Sequence, residues 1–292
     1  MNKMIKKFVS ATLAATCVLG SAAVFSGCTT DHPELEMQIS FNGTTYTLEY
    51  QLYRKVTPHT VDHFLALVEN GYYDGVCVHD FTDAKWYTGA YTYNENSEVD
   101  GGLNYKDYFS IVSAYENKDF VSIWADSAKT TPTYTLYGEF SSNGMTLSKG
   151  DFLSQSLGSL AMYYTDKGEN AGEYEVYAER YDGDGVRALK YEKNSATSMF
   201  SINITGSGIN KDYVTFATLL EDSVDEFNSL KSAIDSYIEK NYADDDSDVE
   251  FAPEYEIHYG QGDAFIEDAE LTVDYSVPSK PIIIKSIKVT KY

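Results

Sequence analysis

The chain has 292 residues, enough for one large domain or two small ones, and a formal net charge of −23. Its hydrophobic fraction of 43% is sufficient for a packed core, and its 26 tyrosines suit many strands and a polar but aromatic surface. The acidic excess excludes nucleic-acid binding, and three cysteines without CxxC or Cys/His spacing exclude a disulfide framework and a zinc site.

The first segment is a targeting signal. Lys3, Lys6 and Lys7 precede an apolar run over residues 8–25 that holds no acid. Phe25-Ser26-Gly27-Cys28 follows, and small residues before a cysteine at this place resemble the lipobox of bacterial lipoproteins. That resemblance implies cleavage before Cys28, a lipid on its sulfur, and an extracytoplasmic domain anchored to the outer face of the bacterial cell membrane. Loss of residues 1–27 takes three lysines with it, so the mature chain carries −26. Cys77 is then the remaining thiol, flanked by Val76 and Val78 and read as a small buried apolar side chain.

Residues 28–36 read as a polar tether and 37–292 as one domain. From Met37 apolar residues alternate, with Ile39 and Phe41 on one face, and Asn42-Gly43 signals a tight hairpin. Tyr46, Leu48, Tyr50 and Leu52 continue on the return strand. Residues 57–71, TPHTVDHFLALVENG, read as a helix: Thr57 as N-cap, Pro58 in the first turn, an apolar stripe of Val61, Phe64, Leu65 and Val68, and Gly71 as the stop. VCVHDF, 76–81, reads as a buried strand. Residues 91–133 lack clear periodicity, and 165–193 form an excursion rich in glycine and aspartate. LYGEF, LGSLAMYY, SMFSINI and VTFATLL read as strands, and 223–242 as a second amphipathic helix with Val224, Phe227, Leu230, Ile234 and Tyr237 or Ile238 inward. Residues 243–250 read as an acidic loop, and PIIIKSIKV as a last strand entered by Pro281. Many strands, two helices and no βαβ rhythm point to a mainly β fold, a barrel or a sandwich with capping helices.

Several of these segments, in this order, resemble the cyclophilin-type peptidyl-prolyl cis-trans isomerases. They are LYRKVTPHTVDHFLALVENGYYDG (52–75), YTLYGEFSSNG (134–144), GSLAMYY (158–164), NSATSMFSI (194–202), DYVTFATLL (212–220) and the terminal PIIIKSIKV. The resemblance implies a closed eight-stranded β-barrel capped by two helices, interrupted by insertions at about 91–133 and 165–193. It implies no cofactor and no metal. It implies as partners proline-containing peptide segments or exported proteins. Phe64, Gly71, Tyr73, Gly75, Gly138, Phe140, Phe200 and Phe216 match the family as structural residues.

The resemblance also places the site. Where the family has His-Arg this chain has His79-Asp80, so the catalytic arginine position carries the opposite charge. The family's Phe-Met pair falls at Lys85 and Trp86, and its glutamines at Thr88 and Met199. The aromatic wall of the proline pocket falls at Ser201, and further pocket positions fall at Gly208, Ile209 and Tyr213. The implied catalytic positions are therefore His79, Asp80, Thr88 and Met199, and the implied substrate-binding positions are Lys85, Trp86, Ser201, Gly208, Ile209 and Tyr213. His79 also reads as an ordinary core histidine, and Lys85, Arg180 or Arg187 as substitute donors. Two functions follow: an isomerase assisting the folding of exported proteins, weakened at Asp80, or a non-catalytic module on the cell surface that binds a peptide or another ligand. The acidic run 244–248 lacks the glycine and terminal glutamate of an EF-hand loop, and 182–185 reads as a turn; neither is taken as a metal site.

Overall fold

In the computed structural model the described residues are 30–139, 153–163, 175–179, 185–190, 195–206, 208, 214–242, 250–258 and 272–292. β1 (Glu34–Phe41) and β2 (Thr44–Leu52) form the first hairpin. Its loop is Asn42-Gly43, with φ of 46° and 84°, the left-handed pair that a type I′ turn requires. Strict alternation buries Leu35, Met37, Ile39 and Phe41 along β1 and Tyr46, Leu48, Tyr50 and Leu52 along β2. β1 begins at Glu34, and Leu52 N–H donates to Pro33 O at 2.8 Å, so the sheet claims residues first read as tether.

α1 (Pro58–Glu69) buries Val61, Phe64, Leu65, Leu67 and Val68. Phe64 is its central anchor, with ring centroids 4.9 Å from Tyr73, 5.3 Å from Phe200 and 4.8 Å from Phe216. Gly71 ends the helix at φ 67°. Tyr72 N–H donates to Leu67 O and Gly71 N–H to Val68 O, the paired bonds of a Schellman cap. At the other end Thr57 sits at the N-cap position but makes no side-chain cap bond. The buried carboxylate of Glu139 does this instead. It accepts from His59 N–H at 3.1 Å, Thr60 N–H at 2.7 Å and Thr60 Oγ1 at 2.5 Å. An anion at a helix N-terminus meets both the orphan donors and the dipole.

β3 (Asp80–Phe81) and β4 (Lys85–Thr88) make a short hairpin, followed by β5 (Tyr91–Tyr93) and β6 (Leu103–Tyr105). α2 (Tyr108–Ser113) starts at Asp107, whose carboxylate accepts from Ser110 N–H. β7 (Ile123–Trp124), β8 (Leu136–Tyr137), β9 (Leu160–Met162), β10 (Glu175–Glu179), β11 (Val186–Lys190) and β12 (Ser195–Ala196) lead to β13 (Phe200–Asn203) and β14 (Val214–Leu219). α3 (Val224–Tyr242) follows and buries Phe227, Leu230 and Ile234. Val224 is only half-buried, whereas Tyr237 and Ile238 pack against the core. The chain ends with β15 (Glu254–His258), β16 (Thr272–Ser276) and β17 (Ile282–Lys291).

The main body is a curled sheet of eight strands in the order β17-β1-β2-β14-β9-β13-β4-β3. Just before β3 the chain also meets β17: Gly75 N–H donates to Ile284 O, Ile284 N–H to Val76 O and Val78 N–H to Ile282 O, at 2.8–2.9 Å. Most of the expected strand at 76–81 is this bridge, and only Asp80 and Phe81 join the ladder.

The two excursions are not independent. β7 from the first pairs with β10 from the second, giving a three-stranded sheet β11-β10-β7 over a small core of Ile123, Tyr137, Val176 and Ala178. The hairpin β15–β16 is an element that sequence reading missed.

His63 on α1 is 1% exposed and lies in a polar network inside this body. Its Nε2–H donates to Thr197 O at 2.9 Å, and Tyr108 Oη, 3.2 Å from the same nitrogen, donates to Tyr134 O at 2.5 Å. Burial pushes the imidazole down to about 4, with the Thr197 bond opposing.

Two outcomes are expected. Glu139→Ala strands the first N–H groups of α1 in the interior and lowers the free energy of unfolding by about 1–3 kcal/mol in urea titration. In acid, the unfolded chain protonates His63 near its ordinary value of 6.5, while the folded chain keeps it neutral down to about 4. Stability attributable to His63 is thus complete above pH 6.5 and is lost as pH falls toward 4. His63→Gln should flatten that limb by up to about 1.4 kcal/mol per pH unit; an unchanged slope removes His63 as its source.

Candidate active site

The site positions lie on β3, β4 and β13, whose pleat sorts their side chains. Opposite residues in the ladder share a face, and Tyr87 faces both Asp80 and Ser201. Trp86 faces Phe81 and Ile202 on the other side. There Trp86 is 2% exposed, stacked on Phe81 at 5.7 Å and against Phe227 of α3 at 5.8 Å. Lys85 and Trp86, taken from the sequence as neighbours in one pocket, point to opposite faces, as consecutive strand residues must. Trp86 is a core residue here and presents almost no surface.

Thr82 builds the β3–β4 turn. Its hydroxyl donates to Lys85 O at 2.9 Å and accepts from Lys85 N–H at 3.0 Å. Lys85, opposite Asn203, is half-buried, and burial lowers its ammonium to about 8.

Asp80 is half-buried. One carboxylate oxygen accepts from Ser276 N–H of β16 at 3.1 Å. Burial raises its carboxyl above the usual range, the Ser276 bond opposes this, and the charge of Glu254 on β15 adds to it. His79 is 1% exposed, its ring 4.9 Å from Tyr91 and 4.8 Å from Tyr275 of β16. Burial pushes its imidazole down to about 3, with a backbone hydrogen bond to Cys77 opposing. A neutral ring held between two tyrosines is a packing group.

The remaining positions are similarly occupied. Thr88 is fully buried, its hydroxyl donating to Cys77 O at 2.8 Å. Met199 is 6% exposed in a second hydrophobic cluster with Cys77, Ala90, Tyr91, Leu103, Ile257, Tyr275 and Val277. Ser201 is buried, its Oγ 3.4 Å from Ala161 O. Gly208 is exposed, with φ 77°, and its carbonyl accepts from Gln155 N–H at 2.8 Å. Ile209, Tyr213, Arg180, Cys28 and the acidic run 244–248 lie outside the described residues. Arg187 sits on β11, opposite Ala178 in the accessory sheet.

Asp80 and His79 are thus joined by two residues not anticipated from the sequence, Tyr275 and Ser276. They reach the site because the hairpin β15–β16 inserts Ile257 and Tyr275 into the second cluster. The signal was available: Tyr255-Glu256-Ile257 and Val273-Asp274-Tyr275 alternate apolar and polar. Tyr87 and Tyr163, edge to face at 5.4 Å, are half-buried beside these positions. Among the described residues no group of three or more His, Cys, Asp or Glu side chains is placed to hold a metal ion.

Residues 36–245 match the family described as "Cyclophilin type peptidyl-prolyl cis-trans isomerase/CLD". The chain is similar to a cyclophilin type peptidyl-prolyl cis-trans isomerase from Cryptosporidium parvum, at 15% identity and a TM-score of 0.40, with 89% of this chain and 99% of that one covered. A structure of the same isomerase in the presence of the dipeptide Ala-Pro gives 14% identity, a TM-score of 0.39 and the same coverage. The Mimivirus cyclophilin gives 12% identity and a TM-score of 0.38, over 71% of this chain and 82% of that one. No curated protein matches the chain. The match from β1 to α3 and beyond shows that this chain belongs to the cyclophilin-type peptidyl-prolyl cis-trans isomerase family.

Proposed function

We propose that this protein is a lipid-anchored, extracytoplasmic cyclophilin-like isomerase that acts on proline-containing segments of exported proteins, with weak catalysis. We also infer that the backbone bonds between 75–78 and 282–284 close its sheet into a barrel.

Asp80 carries the reading of weak catalysis. Rotation about an X-Pro bond faces a barrier of about 18–20 kcal/mol from amide resonance. A catalyst lowers it by holding the ring and donating toward the proline nitrogen as that atom gains lone-pair character. An ionised carboxylate only accepts hydrogen bonds, and its charge opposes the lone pair. Asp80 is moreover bound to Ser276 N–H. The burial of Thr88, Met199 and Ser201 leaves little floor for a proline ring.

A second reading, a non-catalytic module that binds a peptide or another ligand, is favoured by the hairpin itself. β15 and β16 lie outside the family match, and β16 contacts both His79 and Asp80. Such a module would keep the fold and bind elsewhere on the surface.

Cis/trans exchange of a proline peptide, measured on residues 29–292, separates these functions. The expected rate is on the order of a hundredfold or more below that of a cyclophilin with the arginine, the cost of removing one transition-state donor. A rate within tenfold of such an enzyme would sink the proposal of weak catalysis, and no catalysis above background would favour the binding module. For the anchor, Cys28→Ser should move the protein from the membrane fraction to the soluble one; unchanged membrane association refutes lipidation there.

A further inference from the structure

The chain leaves the folded body at one end of the sheet, and that end differs electrostatically from the rest. Thr30 N–H donates to Tyr292 O at 3.0 Å, Arg54 Nη1 to Thr30 O at 2.6 Å, and Arg54 N–H to Asp31 O at 3.1 Å. Backbone is therefore fixed from Thr30 onward, and Thr29 alone separates it from Cys28. At about 3.3–3.6 Å per residue, Cys28 lies within roughly 7 Å of this end.

Three of the four ion pairs found among the described residues cluster here: Arg54 with Asp62 at 2.9 Å, Lys55 with Asp31, and Lys291 with Glu34 at 2.5 Å. Each acid in these pairs is matched by a base, in a chain whose mature form carries −26. Tyr292, 37% exposed, adds an amphipathic ring at the same place.

We infer that this end, formed by residues 30–34, 52–55 and 290–292, is a membrane-apposed face that lies against the phospholipid headgroups. The inference rests on the lipid-anchor reading of Cys28. A tether this short admits only surfaces near Thr30 to the bilayer. The unbalanced acids elsewhere are repelled by anionic lipid more strongly than this end, where Asp31, Glu34 and Asp62 are paired with bases and Glu69 bonds the Tyr292 side chain. The Asn42-Gly43 turn, eight residues along β1 at about 3.4 Å each, would then stand up to roughly 27 Å further out.

The test uses the full chain purified from membranes and reconstituted in vesicles of phosphatidylcholine and phosphatidylglycerol containing a headgroup quencher. A fluorophore is placed at Thr290→Cys or at Thr45→Cys, both exposed. Cys77 is buried, with its thiol pushed up to about 12, and does not compete for the label. Quenching several-fold stronger at 290 than at 45 is expected. Equal quenching, or stronger quenching at 45, on protein that floats with the vesicles overturns the orientation and leaves the anchor standing. Protein that does not float, with Cys28→Ser indistinguishable from it, overturns the anchor and the orientation with it. Lys55→Glu combined with Lys291→Glu should weaken quenching at 290 on anionic vesicles and not on phosphatidylcholine alone; no change on either overturns the electrostatic part.

Discussion

The pleat of β3, β4 and β13 is the constraint on which the rest of this site depends. Each side chain along these strands must take one of two faces, and the core claims one of them. Phe81, Trp86, Phe200 and Ile202 fill that face, with Phe227 of α3 packed on Trp86. Asp80, Tyr87 and Ser201 are left on the other. A groove between these strands can be built only from the second set, and Trp86 is not part of it.

What covers the second face comes from the chain's own later segments. The hairpin β15–β16 contributes Ile257 and Tyr275, and the first excursion contributes Tyr91 and Leu103. The cluster they form buries Cys77 and Met199 and holds His79 between two rings. Asp80 is well suited to this arrangement, since an acceptor is what the Ser276 N–H requires. Asp80 and the hairpin form one local solution, in which the donor on β16 is satisfied by the acceptor on β3.

The sequence disclosed features governed by local rules. The Asn42-Gly43 turn, the helix stop at Gly71, the stripe on α1 and the entry of β17 after Pro281 follow from backbone chemistry within a few residues. Long-range features stayed hidden. The N-terminus of α1 is capped by Glu139, some eighty positions away, and no local pattern near Thr57 could reveal it. β7 reads as irregular because its partner, β10, lies in the other excursion. β15 and β16 are five residues each, separated by more than a dozen positions without a tight-turn signal. The exposure of the expected site positions on β3 and β4 was not legible either, because it depends on the elements packed above them.

The pairing of β7 with β10 has a spectroscopic consequence. The chain has two tryptophans, and the fold places one in the main core and the other on the accessory sheet. Trp86 lies in the main core against Phe81 and Phe227. Trp124 lies on β7 of the accessory sheet, with Lys129 Nζ 4.7 Å from its ring. Intrinsic emission is therefore a two-channel signal. Replacing either indole with phenylalanine leaves a single reporter, so melting of the small sheet can be followed separately from melting of the large one.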